Sequence, residues 1–189
     1  MRLDTYSSKL DRGASRLVEA VWAVSNALLL SSWLPGTGWR AQLLRIFGAR
    51  VGRNIVIKPG VRVKFPWRLR IGDHSWLGED VWIDNLANVH IGEHVCISQG
   101  AYLCTGSHDW KSESFDLITK PITLQNRVWI CAQATVGPGV VIGEGAVLGL
   151  KSSASKDLSP WTINVGAPSI EVGQRDYQLA STNWRLRFS

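Results

Sequence analysis

The sequence predicts an all-β solenoid, a parallel β-helix preceded by a short helical segment. Three regularities of the chain predict it. An aliphatic residue recurs at every sixth position, a glycine often follows it, and a small or β-branched residue often stands four positions after it. A period of six fits neither an α-helix, which repeats about every 3.6 residues, nor an ordinary strand, which repeats about every 2. It is the signature of a β-helix in which three hexapeptides make one triangular coil.

The periodic aliphatic residues form four blocks, separated by two slips of two residues and one long interruption. We expect them to fill the solenoid interior, in about five coils over residues 51–156. Because of the slips, equivalent positions in the first three coils lie 20 residues apart. This register predicts that Trp82 stacks on Tyr102, and His74 on His94, in neighbouring coils. The interior positions are Val51, Ile57 and Val63; Ile71, Leu77 and Ile83; Ile91, Ile97 and Leu103; and Leu124, Ile130, Val136, Ile142 and Leu148.

The predicted domain organisation has three parts. Residues 1–50 form an N-terminal helical segment, residues 51–159 the β-helix, and residues 160–189 a C-terminal tail. Within the first part, a second short helix over residues 39–47 should turn Leu43, Leu44 and Phe47 inward and Arg40 and Arg45 outward. The second helix and the orientation of its side chains follow from hydrophobic periodicity and from Gly48, which ends the helix.

The first helix is apolar almost all round. Its stretch 20–34 would reach about 22 Å, which is too short for a bilayer core of about 30 Å. Such a helix must be buried against something. One interpretation is packing on the main domain or on another subunit. The other is peripheral membrane contact through residues 17–34, favoured by basic flanks and by Trp22 and Trp33.

Composition narrows the class of protein further. The 189 residues are 45% hydrophobic and 19% charged, which excludes disorder and a coiled coil. Three cysteines without a CxxC pair, Cys96, Cys104 and Cys131, argue against a disulfide scaffold and indicate a reducing, cytoplasmic compartment. The net charge of +6 predicts an anionic partner. Nucleic acid is not expected, because no binding module is present and the basic residues do not cluster along the chain.

The interruption of the repeat is the candidate functional loop. It lies between Leu103 and Leu124 and begins Cys104-Thr105-Gly106-Ser107-His108-Asp109-Trp110. A loop thrown out of a regular solenoid costs ordering entropy and usually carries function.

With this loop in place the chain resembles the hexapeptide-repeat acyltransferases. It most resembles the capsule and exopolysaccharide O-acetyltransferases of the colanic-acid biosynthesis type, and more distantly the galactoside and maltose acetyltransferases. The resemblance covers about residues 39–161. It rests on the strings Leu43-Leu44-Arg45-Ile46-Phe47-Gly48-Ala49, Pro66-Trp67, Gln99-Gly100-Ala101-Tyr102-Leu103-Cys104-Thr105-Gly106-Ser107-His108-Asp109 and Val136-Gly137-Pro138-Gly139-Val140.

The resemblance implies a left-handed β-helix, a homotrimer with intersubunit active sites, and acetyl-CoA in the groove between neighbouring subunits. It implies transfer of an acetyl group to a sugar hydroxyl of an exopolysaccharide, a capsule or a lipid-linked oligosaccharide precursor. Such a transfer needs a base that works near neutral pH, and imidazole is suited to it. The resemblance therefore makes His108 the general base. Asp109 either orients its ring, binds the acceptor or only forms a turn.

Five residues are candidates for the carbohydrate acceptor. Asp84 and Asn85 break the repeat in the second coil and would bind sugar hydroxyls, unless Asn85 only builds a corner. Trp82, Tyr102 and Trp110 offer aromatic faces on which sugar rings stack, although trimer packing also buries aromatic rings.

The resemblance places the coenzyme along the late coils. The matching positions are Trp129, Ala132, Gly149, Leu150, Lys151, Ser155 and Lys156. Lys156, and as a weaker candidate Lys151, would meet phosphate, unless both are ordinary solvated lysines. One departure concerns the segment Gly166-Ala167-Pro168, after which many relatives carry a basic residue. Here no basic residue follows until Arg175, which is the candidate substitute.

Three further histidines raise the question of a metal, because γ-class carbonic anhydrases bind zinc on the same solenoid. The ligand spacing of that class is absent, and His74 and His94 occupy corner positions where Asn is common, so no metal is expected. Alternatives to the O-acetyltransferase remain open: an N-acetyltransferase on an amino sugar or nucleotide sugar, a small-molecule acetyltransferase, and a non-catalytic binding module.

Overall fold

The computed structural model describes residues 2–6 and 10–176, and it confirms the parallel β-solenoid. Most strands are two or three residues long, as a triangular coil requires. The first three coils contain β1 (Arg50–Val51), β2 (Val56–Ile57), β3 (Arg62–Val63), β4 (Leu69–Ile71), β5 (Trp76–Leu77), β6 (Trp82–Asp84), β7 (Val89–Ile91), β8 (Cys96–Ile97) and β9 (Tyr102–Cys104). A hairpin of β10 (Gly106–His108) and β11 (Leu117–Thr119) then interrupts the solenoid.

The solenoid resumes with two more complete coils and the start of a sixth. These are built from β12 (Ile122–Leu124), β13 (Trp129–Ile130), β14 (Thr135–Val136), β15 (Val141–Ile142), β16 (Val147–Leu148), β17 (Ser153–Ala154), β18 (Thr162–Val165) and β19 (Ile170–Gln174). Sheet 1 has the order β1-β4-β7-β12-β15, and sheet 3 has the order β17-β14-β9-β6-β3. Sheet 2 has the order β19-β18-β16-β13-β8-β5-β2.

The interior is aliphatic, as the repeat predicts. In sheet 2, for example, Ile57, Leu77, Ile97, Ile130 and Leu148 pair in register through consecutive coils, and all are 0% exposed. Full burial of such a side chain contributes about 1.5–3 kcal/mol. The core therefore holds the coils in one register.

The corners of the solenoid place non-glycine residues in the left-handed region. His74 has φ 59° and His94 has φ 56°, a region that Asn and His enter more easily than most residues. Their rings stack with centroids 4.9 Å apart and planes 9° from parallel. The predicted stacking of these two histidines at corner positions is confirmed.

The helices close the N-terminal end of the solenoid. They are α1 (Arg16–Ser25), which runs on into a π-helical turn over Asn26–Leu30, and α2 (Gly38–Ile46). Ser15 caps α1 by accepting from the Val18 N–H. Trp22 is 2% exposed, and its indole N–H donates to the carbonyls of Val63 and Lys64 at the edge of the first coil. None of the helices in residues 2–6 and 10–176 is long and apolar enough to cross a membrane.

Arg40 is the main error of the sequence-based helix assignment, which turned it outward. It is 0% exposed and donates to four backbone carbonyls of the turn between α1 and α2, those of Leu30, Ser32, Leu34 and Gly36. Burial lowers the pKa of its guanidinium. The side chain thus satisfies a turn whose carbonyls would otherwise lack donors.

The C-terminal end extends beyond the predicted coils. Strand β18 pairs in parallel with β16, so residues assigned to the tail belong to the solenoid. Its buried side chains are polar: Thr162 is 1% and Asn164 is 4% exposed, and the Asn164 amide donates to the Thr162 hydroxyl. Strand β19 folds back antiparallel on β18. Trp184 lies outside the described residues.

Candidate active site

The histidine loop leaves the solenoid at the corner between sheets 3 and 1, in the third coil. We call this corner, from Cys104 to Pro121 and the coil positions stacked on it, the loop corner. The strands β10 and β11 pair antiparallel, with His108 opposite Leu117. At the base, the Lys120 N–H donates to the Thr105 carbonyl over 2.9 Å. Thr105 is 0% exposed, and its hydroxyl donates to the Asp84 carbonyl over 2.9 Å, so the loop is fastened to the second coil.

His108 is held by the loop itself. Its Nδ1 lies 2.8 Å from the backbone carbonyl oxygen of Phe115. A carbonyl can only accept, so Nδ1 carries the proton of this hydrogen bond and Nε2 of the neutral ring is left with a lone pair. The Phe115 ring stacks on the imidazole at 4.2 Å and 3°, and the Tyr6 ring lies 5.8 Å from it. The ring is therefore fixed on two sides with one basic nitrogen unengaged by this bond.

Phe115 and Tyr6 were not identified from the sequence. Phe115 acts through its backbone carbonyl, which every residue carries, and its φ of 53° is the only unusual feature of its backbone. Tyr6 reaches the site because the Arg2 N–H donates to the Glu113 carbonyl over 2.7 Å, which brings the N-terminal residues beside the loop. No sequence motif marks either position.

Asp109 does not orient the imidazole. Its Oδ1 accepts from the Lys111 N–H over 2.9 Å, and its own N–H donates to the Asp116 carbonyl over 2.9 Å. The carboxylate thus builds the turn of the loop, and the orienting contact of His108 comes from the Phe115 carbonyl. Trp110 stands at the tip of this turn and is 79% exposed.

An aromatic and acidic cluster lies on the outer face of sheet 3, next to the loop. Trp82 and Tyr102 pair in register, and their rings stack with centroids 4.6 Å apart. The Tyr102 hydroxyl lies 3.2 Å from Asp84 Oδ2. Partial burial, followed by Cys104 and the Asp84 carboxylate, raises the pKa of Tyr102, so its hydroxyl stays protonated and donates to Asp84. Arg62 lies over the Trp82 ring at 4.7 Å.

Asn85 is not available to an acceptor, and its assignment to acceptor binding is wrong. The residue is 0% exposed, its Oδ1 accepts from the Phe65 N–H over 2.9 Å, and its amide donates to the Phe65 carbonyl over 2.6 Å. Both ends of the amide are used to stack the second coil on the first. Asn85 therefore only builds a corner, which was the alternative interpretation of this residue.

Two of the coenzyme candidates lie at the loop corner. Strand β17 is stacked on β14, and β14 on β9. The end of β17 therefore lies one coil above Gly137 and two coils above Cys104, a distance of about 10 Å from Cys104 at the usual strand spacing. Ser155 and Lys156 follow β17 there, and both are exposed. Lys120 of the loop covers Gly139, with its side chain 3.0 Å from where a Cβ would lie. A column of positions therefore runs from the loop towards Lys156.

The remaining candidates lie at the next corner, between sheets 2 and 3. Ala132 and Lys151 are neighbours there, since the Lys151 N–H donates to the Ala132 carbonyl over 3.0 Å. Leu150 is 66% and Trp129 is 43% exposed, which leaves apolar surface for a ligand. The predicted coenzyme residues thus lie at two corners of the solenoid, one between sheets 3 and 1 and the other between sheets 2 and 3.

Gly149 and Arg175 do not face a ligand. Gly149 is buried, and a Cβ there would lie 2.8 Å from the Val165 side chain, because β18 covers it. Its assignment to the coenzyme channel is wrong for that reason. The Arg175 guanidinium donates to the carbonyls of Arg127 and Gly145 at the opposite corner, so it does not replace the basic residue expected after Pro168.

The described residues contain no group of three or more His, Cys, Asp or Glu side chains that could hold a metal ion. The side chain of His90 points outward from sheet 1, and the His74–His94 stack lies at a different corner.

The comparisons with known proteins agree with this architecture. No protein-family model matches the chain. It is 41% identical over 167 residues to an Escherichia coli (strain K12) protein provisionally named colanic acid biosynthesis acetyltransferase WcaF, covering 87% of this chain and 91% of that one. It is 29% identical to the galactoside O-acetyltransferase of the same organism, covering 79% and 77% of the two chains.

A solved structure shares the fold. The hexapeptide-repeat-containing acetyltransferase VCA0836 of Vibrio cholerae, in complex with acetyl coenzyme A, superposes with a TM-score of 0.77 at 27% identity. The match covers 87% of this chain and 92% of that one. The fold and these relatives define an acyltransferase built on hexapeptide repeats. The chain belongs to the hexapeptide-repeat acetyltransferases, with the colanic acid biosynthesis type among its similar relatives.

Proposed function

We propose that this protein is an acetyl-CoA-dependent O-acetyltransferase that acts on a sugar hydroxyl of an exopolysaccharide, a capsule or their lipid-linked precursor. The observation that carries the proposal is the setting of His108. Its Nδ1 is engaged by the Phe115 carbonyl at 2.8 Å, which directs the basic lone pair of the neutral ring to Nε2. An imidazole that is fixed in orientation and keeps one basic nitrogen for the substrate can act as a general base.

The chemistry follows from that nitrogen. Nε2 of His108 takes the proton of the acceptor hydroxyl as its oxygen attacks the thioester carbonyl. The carbon–sulfur bond breaks, and the proton held on the imidazolium passes to the departing thiolate. During the transfer the ring is positively charged, and the Phe115 carbonyl stabilises the proton on Nδ1.

The acceptor surface is the cluster beside the loop. The stacked pair of Trp82 and Tyr102 offers an aromatic face, and Asp84, oriented by the Tyr102 hydroxyl, offers a carboxylate for sugar hydroxyls. Trp110, at 79% exposure, would close over the acceptor from the loop tip. The names of the Escherichia coli relatives, which refer to colanic acid and to galactosides, support a carbohydrate acceptor.

The coenzyme would lie along the late coils. The loop-corner column that ends at Ser155 and Lys156 leads away from His108, and Lys156 is exposed without an ion pair among the described residues. Leu150 and Trp129 line the next corner. In a homotrimer, the two corners of different subunits would face one groove, so that both sets of residues could contact one coenzyme. This enzyme would work in the cytoplasm, where acetyl-CoA is made.

The test is thiol release from acetyl-CoA with a panel of monosaccharide and oligosaccharide acceptors. His108→Gln should lower kcat by about 10²–10⁴-fold, because it removes the base and keeps the size of the side chain. The matched control is His94→Asn, since His94 is an exposed histidine at another corner, and its φ of 56° is one that Asn adopts easily. Full activity of His108→Gln with any accepted sugar would refute the mechanism.

The same assay separates the alternatives that the sequence leaves open. An O-acetylated product loses acetate in mild alkali, whereas an N-acetylated product does not. Turnover with amino sugars alone, and an alkali-stable product, would favour the N-acetyltransferase.

A further inference from the structure

The N-terminal end of the solenoid carries an exposed apolar surface that the proposed chemistry does not use. We call it the base surface. Trp22 and Leu30 turn inward from the helical segment, while a stripe at helical spacing turns outward. The exposed members are Leu17 at 74%, Val21 at 47%, Val24 at 59%, Leu28 at 68%, Trp33 at 76% and Leu34 at 55%. A continuous apolar patch of this kind marks an interaction site.

The charge of the chain is concentrated at the same end. Residues 1–70 contain thirteen Lys and Arg against three Asp and Glu, a net charge of +10, and residues 71–189 carry a net charge of −4. Residues 48–70 contain seven basic residues and no acidic one: Arg50, Arg53, Lys58, Arg62, Lys64, Arg68 and Arg70. The expectation that the basic residues do not cluster is wrong, because these seven lie in the first coil and at the start of the second, in β1, β3 and β4 and in the turns beside them.

We call these seven residues the basic girdle, and part of their charge is not neutralised by an ion pair. Arg53 pairs with Asp73, and Lys58 lies 3.9 Å from Glu79. Arg50 and Arg70, in contrast, have neither a side-chain hydrogen bond nor an ion pair within the described part of the chain, and they stand directly opposite each other on paired strands. Like charges in register destabilise a sheet. An external anion would remove that penalty.

The girdle lies next to the base surface. The helical segment that carries the apolar stripe packs on the first coil, through Trp22 on Val63 and Lys64 and through the π-helical turn on β3. The apolar patch therefore forms the end face of the prism, and the basic residues form its rim. Between residues 13 and 47 the one acidic residue is Glu19, which is paired with Arg12.

We propose that the base surface docks on an anionic phospholipid membrane. Apolar side chains with a Trp at one edge enter the boundary between headgroups and acyl chains, and the basic rim meets the negative headgroups. A second copy of the chain is the weaker fit, because two bases in contact would bring two strongly positive ends together. Docking in this way would hold the loop corner, two coils above the first, about 10 Å further from the membrane.

The test uses the purified full chain and sucrose-loaded vesicles, with neither coenzyme nor acceptor, so that its result is independent of catalysis. Vesicles of phosphatidylcholine with about 30 mol% phosphatidylglycerol should bind the protein, and phosphatidylcholine vesicles should bind it at least tenfold less. Raising the salt from about 0.1 to 0.5 M should weaken binding. Equal binding to both vesicles, or no binding, overturns the proposal.

Two variants and one control locate the surface. Leu28→Gln with Trp33→Gln should lower the vesicle affinity at least tenfold, since both side chains are exposed and their loss removes apolar burial. Arg50→Gln with Arg70→Gln should lower it several-fold on anionic vesicles. The matched control is Ile170→Gln with Val172→Gln, at 66% and 56% exposure on the opposite end, which should bind like wild type.

The control also decides against the proposal if it loses as much binding as the base variant. Light scattering, which measures the molar mass of each variant in solution, tests whether a second copy of the chain covers the base surface. A base variant whose molar mass is lower than that of the wild type would overturn the proposal, because a second copy of the chain would then cover the base surface. Thermal unfolding of each variant, monitored by circular dichroism, confirms that a loss of binding is not a loss of folding.

Discussion

Gly72 stands where two coils approach most closely, and replacing it by alanine gives a clear test of the packing. A Cβ at this position would lie 2.6 Å from the Gly92 carbonyl carbon, 2.7 Å from the Glu93 nitrogen and 2.8 Å from the Gly92 oxygen. All three are backbone atoms of the next coil, so no side chain can move aside. An ordinary contact begins at 3.4 Å, and the coils would have to separate locally by most of an ångström.

The cost can be worked from that separation. Overpacking of this kind costs about 1–3 kcal/mol. The Gly72 N–H donates to the Ile91 carbonyl over 2.8 Å, and weakening this ladder bond adds about 0.5–1.5 kcal/mol. We therefore expect Gly72→Ala to lower the free energy of unfolding by about 1.5–4.5 kcal/mol.

Urea denaturation followed by circular dichroism measures this loss. The matched control is Gly38→Ala, because nothing lies within 4 Å of the Cβ that it would add. Gly38 begins α2, where alanine favours the helix, so the control should be as stable as wild type or slightly more. Equal midpoints for Gly72→Ala and wild type would refute the packing argument.

Three further predictions concern single side chains. Arg40→Met should lower the free energy of unfolding by about 2–4 kcal/mol in the same urea assay, since it leaves four carbonyls without their donor. Tyr102→Phe should raise KM for the acceptor about fivefold with kcat nearly unchanged, because Asp84 loses the donor that orients it. Arg53 holds the pKa of Asp73 below its ordinary value through its backbone N–H and its guanidinium. That carboxylate therefore stabilises the fold above its unfolded pKa and ceases to do so as the pH falls through its folded pKa, and Asp73→Asn should reduce the acid dependence of Tm.

The period of six was enough to predict the solenoid and the register of its first coils. The spacing of 20 residues placed Trp82 beside Tyr102 and His74 beside His94, and both pairs stack in the structure. Interior aliphatic residues specify such a register strongly, because a slip by one residue would turn them outward.

The sixth turn was missed because its interior is polar. Thr162 and Asn164 point inward from β18, so the aliphatic pattern ends at this strand although the sheet continues through it. The resemblance matched Gly149 to the coenzyme channel, and without the sixth turn nothing in the sequence showed that β18 covers it.

Contacts between side chains and backbone carbonyls also could not be predicted from the sequence. Arg40 is buried because the turn after α1 presents four carbonyls to it, and a helical period cannot show that turn. His108 itself was identified from the loop and the resemblance. Its partner was not, since the Phe115 carbonyl is brought to Nδ1 only by the closing of the hairpin.

The closed base of that hairpin makes the histidine loop an exchangeable part. Thr105 and Lys120 are joined by a hydrogen bond, so the chain departs from the third coil and re-enters the fourth at nearly the same point. The coils above and below are stacked without help from the residues between them. Replacing residues 109–114, which lie between His108 and Phe115, with a segment of another length would leave the strand register of the coils intact, because exposed turns tolerate insertions. Acceptor preference could therefore change by loop exchange on an unaltered scaffold.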